Sequence, residues 1–332
     1  MSAQTTHPAG TVAERRPVVA ATPAVSNATS RPSRREAKQA YERGAISNAD
    51  RKNPAVRFWL GLAQALILLG LLIVAVGPLL WLFKASVSST QQILTDPFGI
   101  LFNGEFELGN FARAWTDVRI ADYLLNTAWV VLGSWAATLI TCVTGGYVLS
   151  VLKPRWGGAL SAAVLATLFI PNIISLVPLY MTIVDMPGTG WRLLDTYWAV
   201  WLPHAANAFL VLIVKRFFDQ IPHELYEAAR IDGAGPVLIL LRIVLPMSRP
   251  ILGVVSLLTI VASWKDYLWP LLALPDANKQ PISVALPKVA DGIPLNIQMA
   301  ALFLAVIIPV GLFLLFQKQF LNSAGSAGAL KG

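Results

Sequence analysis

Residues 222–246 read PHELYEAARIDGAGPVLILLRIVLP, and this stretch sets the organisation of the chain. Its first half is charged and ends at a glycine-containing break, whereas its second half is almost wholly apolar. Pro222 suits the start of a helix, where its missing N–H costs nothing. Gly233 can end that helix in the left-handed conformation. The pattern predicts two short helices on a membrane surface, between long apolar segments.

The second of these helices is predicted from apolar residues that recur with helical spacing, namely Val237, Leu238, Leu241 and Val244. We expect Leu245-Pro246 to end this helix and its apolar side to face the rest of the protein. In the first helix, Ala228 and Ala229 would let another surface approach closely. The residues alone leave two interpretations equally open: a docking surface for a partner protein, or an interfacial connector without a partner.

The rest of the chain is typical of a membrane protein. Of its 332 residues, 55% are hydrophobic and only 13% are charged, where a soluble domain carries about 25%. Six apolar segments are long enough to cross a hydrocarbon core of about 30 Å. We predict an all-α polytopic membrane protein with spans near 58–83, 122–150, 159–183, 196–218, 250–273 and 297–320. Pro171 and Pro178 are expected to kink the third segment.

Two flanking segments differ in composition from the spans. Residues 1–57 are rich in Ala, Pro, Ser, Thr and Arg, so we expect a disordered, basic tail. The expected organisation is this tail at 1–57, a membrane domain at 58–320 that contains the loop 219–249, and a Gly-rich tail at 321–332.

The distribution of positive charge predicts the orientation in the membrane. Nineteen of the 26 Lys and Arg residues fall on the side that holds both termini and the loop 219–249. An excess of Lys and Arg marks cytoplasmic segments, so both termini are predicted to be cytoplasmic. Because the basic residues flank apolar runs, the net charge of +8 does not indicate nucleic-acid binding. The opposite side holds five basic residues: Arg113, Arg119, Arg192, Lys279 and Lys288.

The loop 222–246 resembles the cytoplasmic loop of permease subunits of binding-protein-dependent ABC importers. The family pattern is Glu-Ala-Ala, three residues, Gly, nine residues, Ile, one residue, Leu-Pro. The chain fits it with Glu227-Ala228-Ala229, Gly233, Ile243 and Leu245-Pro246. The resemblance extends from about residue 58 to the end and is closest to the carbohydrate permeases. It includes Trp264 to Leu271 and the tail Gly328-Ala329-Leu330-Lys331-Gly332.

The resemblance implies the type I ABC importer permease fold in a bacterial inner membrane, and a role for the loop in coupling. The first helix would dock on a cytoplasmic ATPase subunit. The implied coupling residues are Glu227, Ala228, Ala229, Asp232, Gly233, Ile243 and Pro246, and Lys331 of the tail would reach between the ATPases. The implied partners are a second homologous permease subunit, two ATPase subunits, an extracytoplasmic sugar-binding protein and membrane lipid. ATP and Mg²⁺ would be bound by the ATPases, so this chain would need no cofactor.

An ionisable pair, Lys265-Asp266, lies inside the fifth apolar segment. Such pairs are costly in a membrane and usually face the bundle interior or a wet path. One interpretation places Trp264, Lys265, Asp266 and Tyr267 along the translocation path, with aromatic faces for a sugar. The other is a local ion pair, or a Lys265 side chain that reaches outward to the membrane surface. The resembling subgroup more often has a neutral amide at position 265.

The sequence argues against catalysis by this chain. It has no Gly-x-x-x-x-Gly-Lys-Ser/Thr loop for ATP, and His223-Glu224 lacks the second histidine of a zinc-protease helix. Its single cysteine, Cys142, is expected to be a packed core residue, and His204 a packed or hydrogen-bonded one. We therefore expect a non-catalytic subunit of an ATP-driven sugar importer. The alternative is a secondary transporter driven by an ion gradient, and the sugar itself stays undetermined.

Overall fold

The computed structural model describes residues 54–99 and 106–329, and within these ranges the regular structure is helical throughout, with no strand. The division into two compact units falls inside the first helix, between Leu71 and Leu72. We number the helices in chain order as α1 (Pro54–Ser86), α2 (Thr90–Thr95), α3 (Gly109–Thr116), α4 (Ile120–Leu152), α5 (Gly157–Thr167), α6 (Asn172–Val184), α7 (Trp198–Ala205), α8 (Ala208–Phe218), α9 (His223–Ile231), α10 (Pro236–Met247), α11 (Arg249–Lys265), α12 (Leu268–Ala273), α13 (Ile282–Ala290) and α14 (Leu295–Ala329).

Within the described residues, three continuous helices are long and apolar enough to cross a membrane, and three bent helix pairs bring the number to six if each pair counts as one span. The continuous helices are α1, α4 and the part of α14 up to Leu315. The bent pairs are α5 with α6, at 107°, α7 with α8, at 46°, and α10 with α11, at 79°. The all-α polytopic fold expected from the hydropathy pattern is therefore confirmed.

The boundaries of the spans differ from the sequence expectation in three places. The segment predicted at 250–273 is two helices, because α11 ends at Lys265 and α12 starts at Leu268. The segments predicted at 159–183 and 196–218 are broken at Leu168–Pro171 and at Ala206–Asn207. The break at Leu168–Pro171 agrees with the kink expected at Pro171. A hydropathy window does not locate the other two breaks, because a single polar residue such as Asn207 or Asp266 among many apolar ones changes its average little.

The flanking helices reach beyond the predicted spans. Helix α1 begins at Pro54, so residues 54–57 of the expected disordered tail are helical, while residues 1–53 lie outside the described part of the chain. Helix α14 continues to Ala329, through most of the segment expected as a separate tail. Lys331 lies outside the described residues.

Helix α4 is the centre of the helical bundle in the unit from Leu72 onward, where it packs against α7, α8, α11 and α13. Two glycines allow its close approach to α8. A Cβ atom built on Gly146 would lie 2.9 Å from Val214 Cγ1 and 3.2 Å from the Lys215 backbone nitrogen, and one on Gly145 would lie 3.3 Å from Val211 Cγ1. Cys142 is fully buried on the same helix, as expected for a core residue. Helices in membranes pack through such small residues.

The last turn of α4 and the middle of α10 are π-helical, at Val148–Leu152 and Leu240–Val244. Both turns contribute to one apolar cluster, through Leu149 and Val151 of α4 and Val244 of α10. A π turn inserts one extra residue into a helix and is frequent at functional sites.

A buried amide network ties residues 86–90 and 107–110 to the start of α14. Asn296 donates to Asn110 Oδ1 at 2.8 Å and to Glu107 Oε2 at 3.3 Å, and it accepts from the Thr90 hydroxyl at 3.0 Å. Asn110 in turn donates to the carbonyls of Ser86 and Ser88, at 3.2 and 3.1 Å. Buried amides are stable only when paired in this way, so the network fixes these elements relative to each other.

Candidate functional site

The helix pair α9–α10 forms as the sequence predicts, and its turn is built on Gly233. Pro222 precedes α9 as its N-cap, and Gly233 adopts φ +79° directly after the helix. The Ala234 N–H donates to the Ala229 carbonyl at 2.9 Å, and the Gly233 N–H to the Arg230 carbonyl at 3.0 Å. This is a Schellman motif, in which glycine avoids the steric cost of the left-handed conformation. The predicted left-handed cap is confirmed.

One face of α9 is open to the surroundings. Glu227, Ala228, Asp232 and Gly233 are exposed, and Ala229 is half-buried against the apolar cluster. Ile231 is 87% exposed, the largest value among the exposed large apolar side chains of the described residues. A branched apolar side chain beside small residues and carboxylates is a surface that a complementary cleft can cover.

The opposite face of α9 is anchored by Tyr226, which is only 3% exposed. Its ring lies in the apolar cluster with Tyr147, Val214, Phe218 and Val244. Burial raises the pKa of the Tyr226 phenol to about 12. Helix α9 is therefore attached to the bundle by the buried Tyr226 side chain, while its small and charged side chains remain accessible.

Two polar contacts attach the helix pair to the bundle. The Tyr147 hydroxyl of α4 donates to the Pro236 carbonyl at the start of α10, at 2.8 Å. Asp219, which follows α8, accepts from the Ser150 hydroxyl at 2.7 Å and from Lys215 Nζ at 2.8 Å. Burial acts to raise the pKa of Asp219, but the hydrogen bonds from Lys215 and Ser150 outweigh it and hold the pKa below its usual range.

Helix α10 packs against the bundle by a face that only partly matches the predicted one. Of the predicted residues Val244 is buried, whereas Val237, Leu238 and Leu241 are exposed. The buried Ile239 and Val244 and the half-buried Ile243 form a second apolar stripe with helical spacing, so spacing alone does not select the buried side. Helix α10 is bent by 79° from α11 and has exposed apolar side chains. Both features are typical of a helix that lies along a membrane surface.

The predicted helix end at Leu245-Pro246 is confirmed to within one residue, because α10 ends at Met247. The helix passes through Pro246, which is exposed, and bends at Ser248. Proline can stand there because it occupies the first turn after the π segment, where a backbone donor is not required. The seven predicted coupling residues thus divide between the exposed face of α9, its turn and the far part of α10.

The ionisable pair Lys265-Asp266 lies at the break between α11 and α12. Asp266 turns away from Lys265: its Oδ2 lies 3.6 Å from His204 Nε2, and its carboxylate accepts from the backbone amides of Tyr267 and Trp269. His204 is also within 3.0 Å of the Val200 carbonyl through Nδ1, which confirms it as a hydrogen-bonded residue. The local ion pair between Lys265 and Asp266 is therefore not present.

Lys265 has no ion-pair or hydrogen-bond partner within residues 54–99 and 106–329, and its side chain is exposed. Tyr267 is exposed beside it and Trp264 is half-exposed. Trp269, in contrast, is buried and donates to the Ala199 carbonyl of α7 at 2.9 Å. The four predicted path residues are thus together at one break, but Asp266 is engaged with α7 whereas Lys265 and Tyr267 face outward.

The segment 274–296 is fixed to the bundle by polar contacts that the sequence did not indicate. Lys279 Nζ lies 2.6 Å from Asp195 Oδ2 and 2.8 Å from its carbonyl oxygen. Asn126 of α4 donates to the carbonyls of Asn278 and Gln280, at 2.7 and 3.1 Å, and its Oδ1 accepts from Tyr197. These partners are far apart in sequence, so no local pattern could have revealed them.

The comparisons with known proteins agree with this architecture. Residues 130–323 match the family of binding-protein-dependent transport system inner membrane components. The diacetylchitobiose uptake system permease protein NgcG of Streptomyces coelicolor is 31% identical over 84% of this chain and 90% of its own length. The sn-glycerol-3-phosphate transport system permease protein UgpE of Agrobacterium fabrum is 30% identical over 79% of this chain and 94% of its own.

A solved structure shows the same fold. It is a chain of a bacterial ABC transporter involved in the import of the acidic polysaccharide alginate. The TM-score is 0.72, with 22% sequence identity, and the match covers 83% of this chain and 99% of the other. At this identity the match supports the fold alone.

Proposed function

Because the chain belongs to the family of binding-protein-dependent transport system inner membrane components, we propose that it is the transmembrane permease subunit of an ATP-driven importer for sugars. In this role it forms part of the translocation path and hydrolyses nothing itself. The relatives with saccharide and glycerol-phosphate names support the substrate class. A second, homologous permease subunit, two ATPase subunits and an extracytoplasmic sugar-binding protein complete the assembly, and the ATPases bind ATP and Mg²⁺.

The observation that carries the proposal is the construction of α9. Its outward face presents Glu227, Ala228 and the 87% exposed Ile231, while Tyr226 on the other face is buried in the bundle. A partner protein can bind the exposed face of such a helix. The buried tyrosine then passes a displacement of the helix to the bundle. We assign it as the coupling helix, with Glu227, Ala228, Ala229, Asp232 and Gly233 at the ATPase contact and Ile243 and Pro246 in the supporting helix.

The proposed orientation places both termini and α9–α10 in the cytoplasm, in an inner membrane. It rests on the excess of basic residues around these segments. Cysteine labelling tests it: in a Cys142→Ser background, Ile231→Cys should react with a membrane-impermeant maleimide only from the cytoplasmic side, and Trp191→Cys only from the opposite side. Both positions are exposed, so lack of access to the reagent would not obscure the result. Labelling of both from one side would contradict the orientation.

Coupling is tested by charge reversal at Glu227. We expect Glu227→Lys to abolish vanadate-sensitive sugar uptake, and to prevent co-purification of the ATPase, while the protein stays in the membrane. Asp185→Lys is the matched control, because Asp185 is also an exposed carboxylate but lies just after α6, outside the helix pair. Wild-type uptake by Glu227→Lys would remove the coupling assignment, and uptake driven by an ion gradient without ATPase would replace the importer by a secondary transporter.

A further inference from the structure

The hydroxyl of Tyr226, on α9, is a feature of the helix pair α9–α10 that the packing does not explain. The ring is buried in the apolar cluster and lies edge-on to His223, with 6.0 Å between ring centroids. The hydroxyl oxygen is buried as well and has no hydrogen-bond partner among the residues that the structure describes. An unpaired buried hydroxyl lowers stability, so phenylalanine would serve the packing better than tyrosine does. We therefore expect the hydroxyl group to have a role in a conformation other than the one described.

Tyr147 lies in the same apolar cluster as Tyr226, and the Tyr147 phenol and the Asp219 carboxylate both act electrostatically on the Tyr226 phenol. These two groups are the possible acceptors. Both already have partners. Tyr147 donates to the Pro236 carbonyl, and Asp219 accepts from Ser150 and Lys215. Each still has a free lone pair, because a phenol oxygen can accept while it donates and a carboxylate can accept up to four hydrogen bonds.

The two acceptors lie in different elements, so a hydrogen bond from Tyr226 to each would connect α9 to a different part of the protein. Asp219 lies in the short link that joins α8 to α9, so a bond to it would stay within one local segment. Tyr147 belongs to α4, the central helix, and stands directly before the π turn Val148–Leu152. A bond from Tyr226 to Tyr147 would join α9 to the helix on which the bundle is built, next to a turn that already departs from α-helical geometry.

We propose that Tyr226 is a positioning residue whose hydroxyl donates to the Tyr147 oxygen when the ATPases displace α9. The relay Tyr226–Tyr147–Pro236 then connects α9, α4 and α10 through two consecutive hydrogen bonds, of which only the second exists in the structure described. The displaced state gains the bond that the present state lacks. This inference rests on the proposed function, since it needs an ATPase that moves α9.

The hydrogen-bond state of Tyr226 can be measured directly in the assembled transporter. We would place 3-fluorotyrosine at position 226 and record its ¹⁹F resonance in nanodiscs, with and without MgATP and orthovanadate. The expected result is a change of chemical shift on trapping that is lost in Tyr147→Phe. Vanadate trapping by the wild-type complex with no change at position 226 overturns the inference alone. No trapping at all in the wild-type complex overturns the proposed function as well.

The energetic test is a double-mutant cycle on ATP hydrolysis by the same complex. Tyr226→Phe removes one hydroxyl and keeps the packing, and we expect it to slow hydrolysis about threefold to tenfold, the worth of one hydrogen bond. The variant with both Tyr226→Phe and Tyr147→Phe should be no slower than Tyr147→Phe. Tyr123→Phe, on a half-buried ring of α4 outside this cluster, is the control and should hydrolyse at the wild-type rate. Additive losses, or an unchanged Tyr226→Phe, contradict the relay.

Discussion

Asp266 and His204 lie 3.6 Å apart, between Oδ2 and Nε2, and they join the breaks of two different spans. His204 stands just before the break between α7 and α8, and Asp266 occupies the break between α11 and α12. The Thr138 hydroxyl of α4 donates to the His204 carbonyl at 3.1 Å, so the central helix takes part in the same junction. Backbone groups freed at a break inside a membrane need such partners.

This junction predicts that Asp266 matters more for stability than its neighbour Lys265. Asp266→Ala removes the acceptor of two backbone amides and the partner of His204, and should lower the free energy of unfolding by about 1–3 kcal/mol. Lys265→Ala removes a side chain without a partner among the described residues and should change it by less than about 0.5 kcal/mol. Thermal unfolding in detergent compares the two. Equal losses would show that the junction contributes nothing specific.

Transport kinetics test whether Lys265 belongs to the path. Its side chain is exposed at the end of α11, as a role in the path would require. We expect Lys265→Asn to change the apparent affinity or the maximal rate of uptake, with Lys265→Arg closer to the wild type because it keeps the charge. If the asparagine variant had wild-type kinetics, Lys265 would not be part of the path.

The contact of α4 with α8 predicts a strong effect of one methyl group. Gly146→Ala places a Cβ against Val214 and the backbone nitrogen of Lys215, and backbone cannot rotate away. We expect a loss of about 1–3 kcal/mol of stability, as for overpacked cores. Gly158→Ala, on α5, adds the same methyl group where nothing lies within 4 Å and is the control. Unfolding of both variants in detergent separates the steric effect from the helix-propensity gain that they share.

The left-handed conformation of Gly233 predicts an order of substitutions. No atom lies within 4 Å of a Cβ built there, so the cost comes from φ +79° and not from a clash. Alanine should cost about 1–2 kcal/mol and asparagine less, because asparagine tolerates this conformation. Uptake should therefore fall in the order glycine, asparagine, alanine.

Gly233→Asp adds a charge at the proposed ATPase contact, and we expect it to abolish transport while the protein stays in the membrane. Membrane content of the variant, measured by immunoblot beside uptake, separates a coupling defect from loss of the protein. Full uptake by Gly233→Asp would contradict a docking role for this turn.

The ion pair of Asp195 and Lys279 predicts a dependence of stability on pH. Burial acts to raise the pKa of Asp195, but hydrogen bonds from Lys279 and the Asp276 amide, with the charge of Lys279, hold it below its usual range. The hydrogen bond to Asp195 raises the pKa of Lys279. The contribution of Asp195 is thus fully present above about pH 4 and is lost as pH falls through the lowered pKa.

The contribution of Lys279 has the opposite sign. It is present below about pH 10.4 and is lost as pH rises through the raised pKa. The difference in Tm between the wild type and Asp195→Asn should be constant from about pH 5 to pH 9 and shrink towards pH 3. Asp185→Asn should show little difference at any pH in this range. A difference independent of pH down to pH 3 would exclude a stabilising charge on Asp195.

The sequence predicted the fold and the turn of the coupling region because both rest on local chemistry. Long apolar runs specify spans, and a glycine ahead of a second apolar run specifies a left-handed helix end. Most of the buried face of α10 was missed because apolar residues occur on more than one side of this helix, so helical spacing alone does not select the side that packs.

The polar contacts that organise the site could not be predicted. Tyr147 and Pro236 are 89 positions apart, and Ser150 and Asp219 are 69 apart. Their pairing depends on how α4, α8 and α10 pack, and a single sequence gives no information on the packing of helices that are distant in the chain. The pair Lys265-Asp266 was recognised, but its partner His204 was not, for the same reason.

The amide network around Asn296 connects the elements near residue 90 to a distant helix of the bundle. Asn296 and Asn110 are 186 positions apart, yet one 2.8 Å hydrogen bond joins them. With the Thr90 bond to Asn296, it holds α2, α3 and the start of α14 together as one unit. Helix α14 packs along α11, the helix that ends in Lys265. We therefore expect a force applied to residues 86–99 or 106–110 to reach α11 through α14.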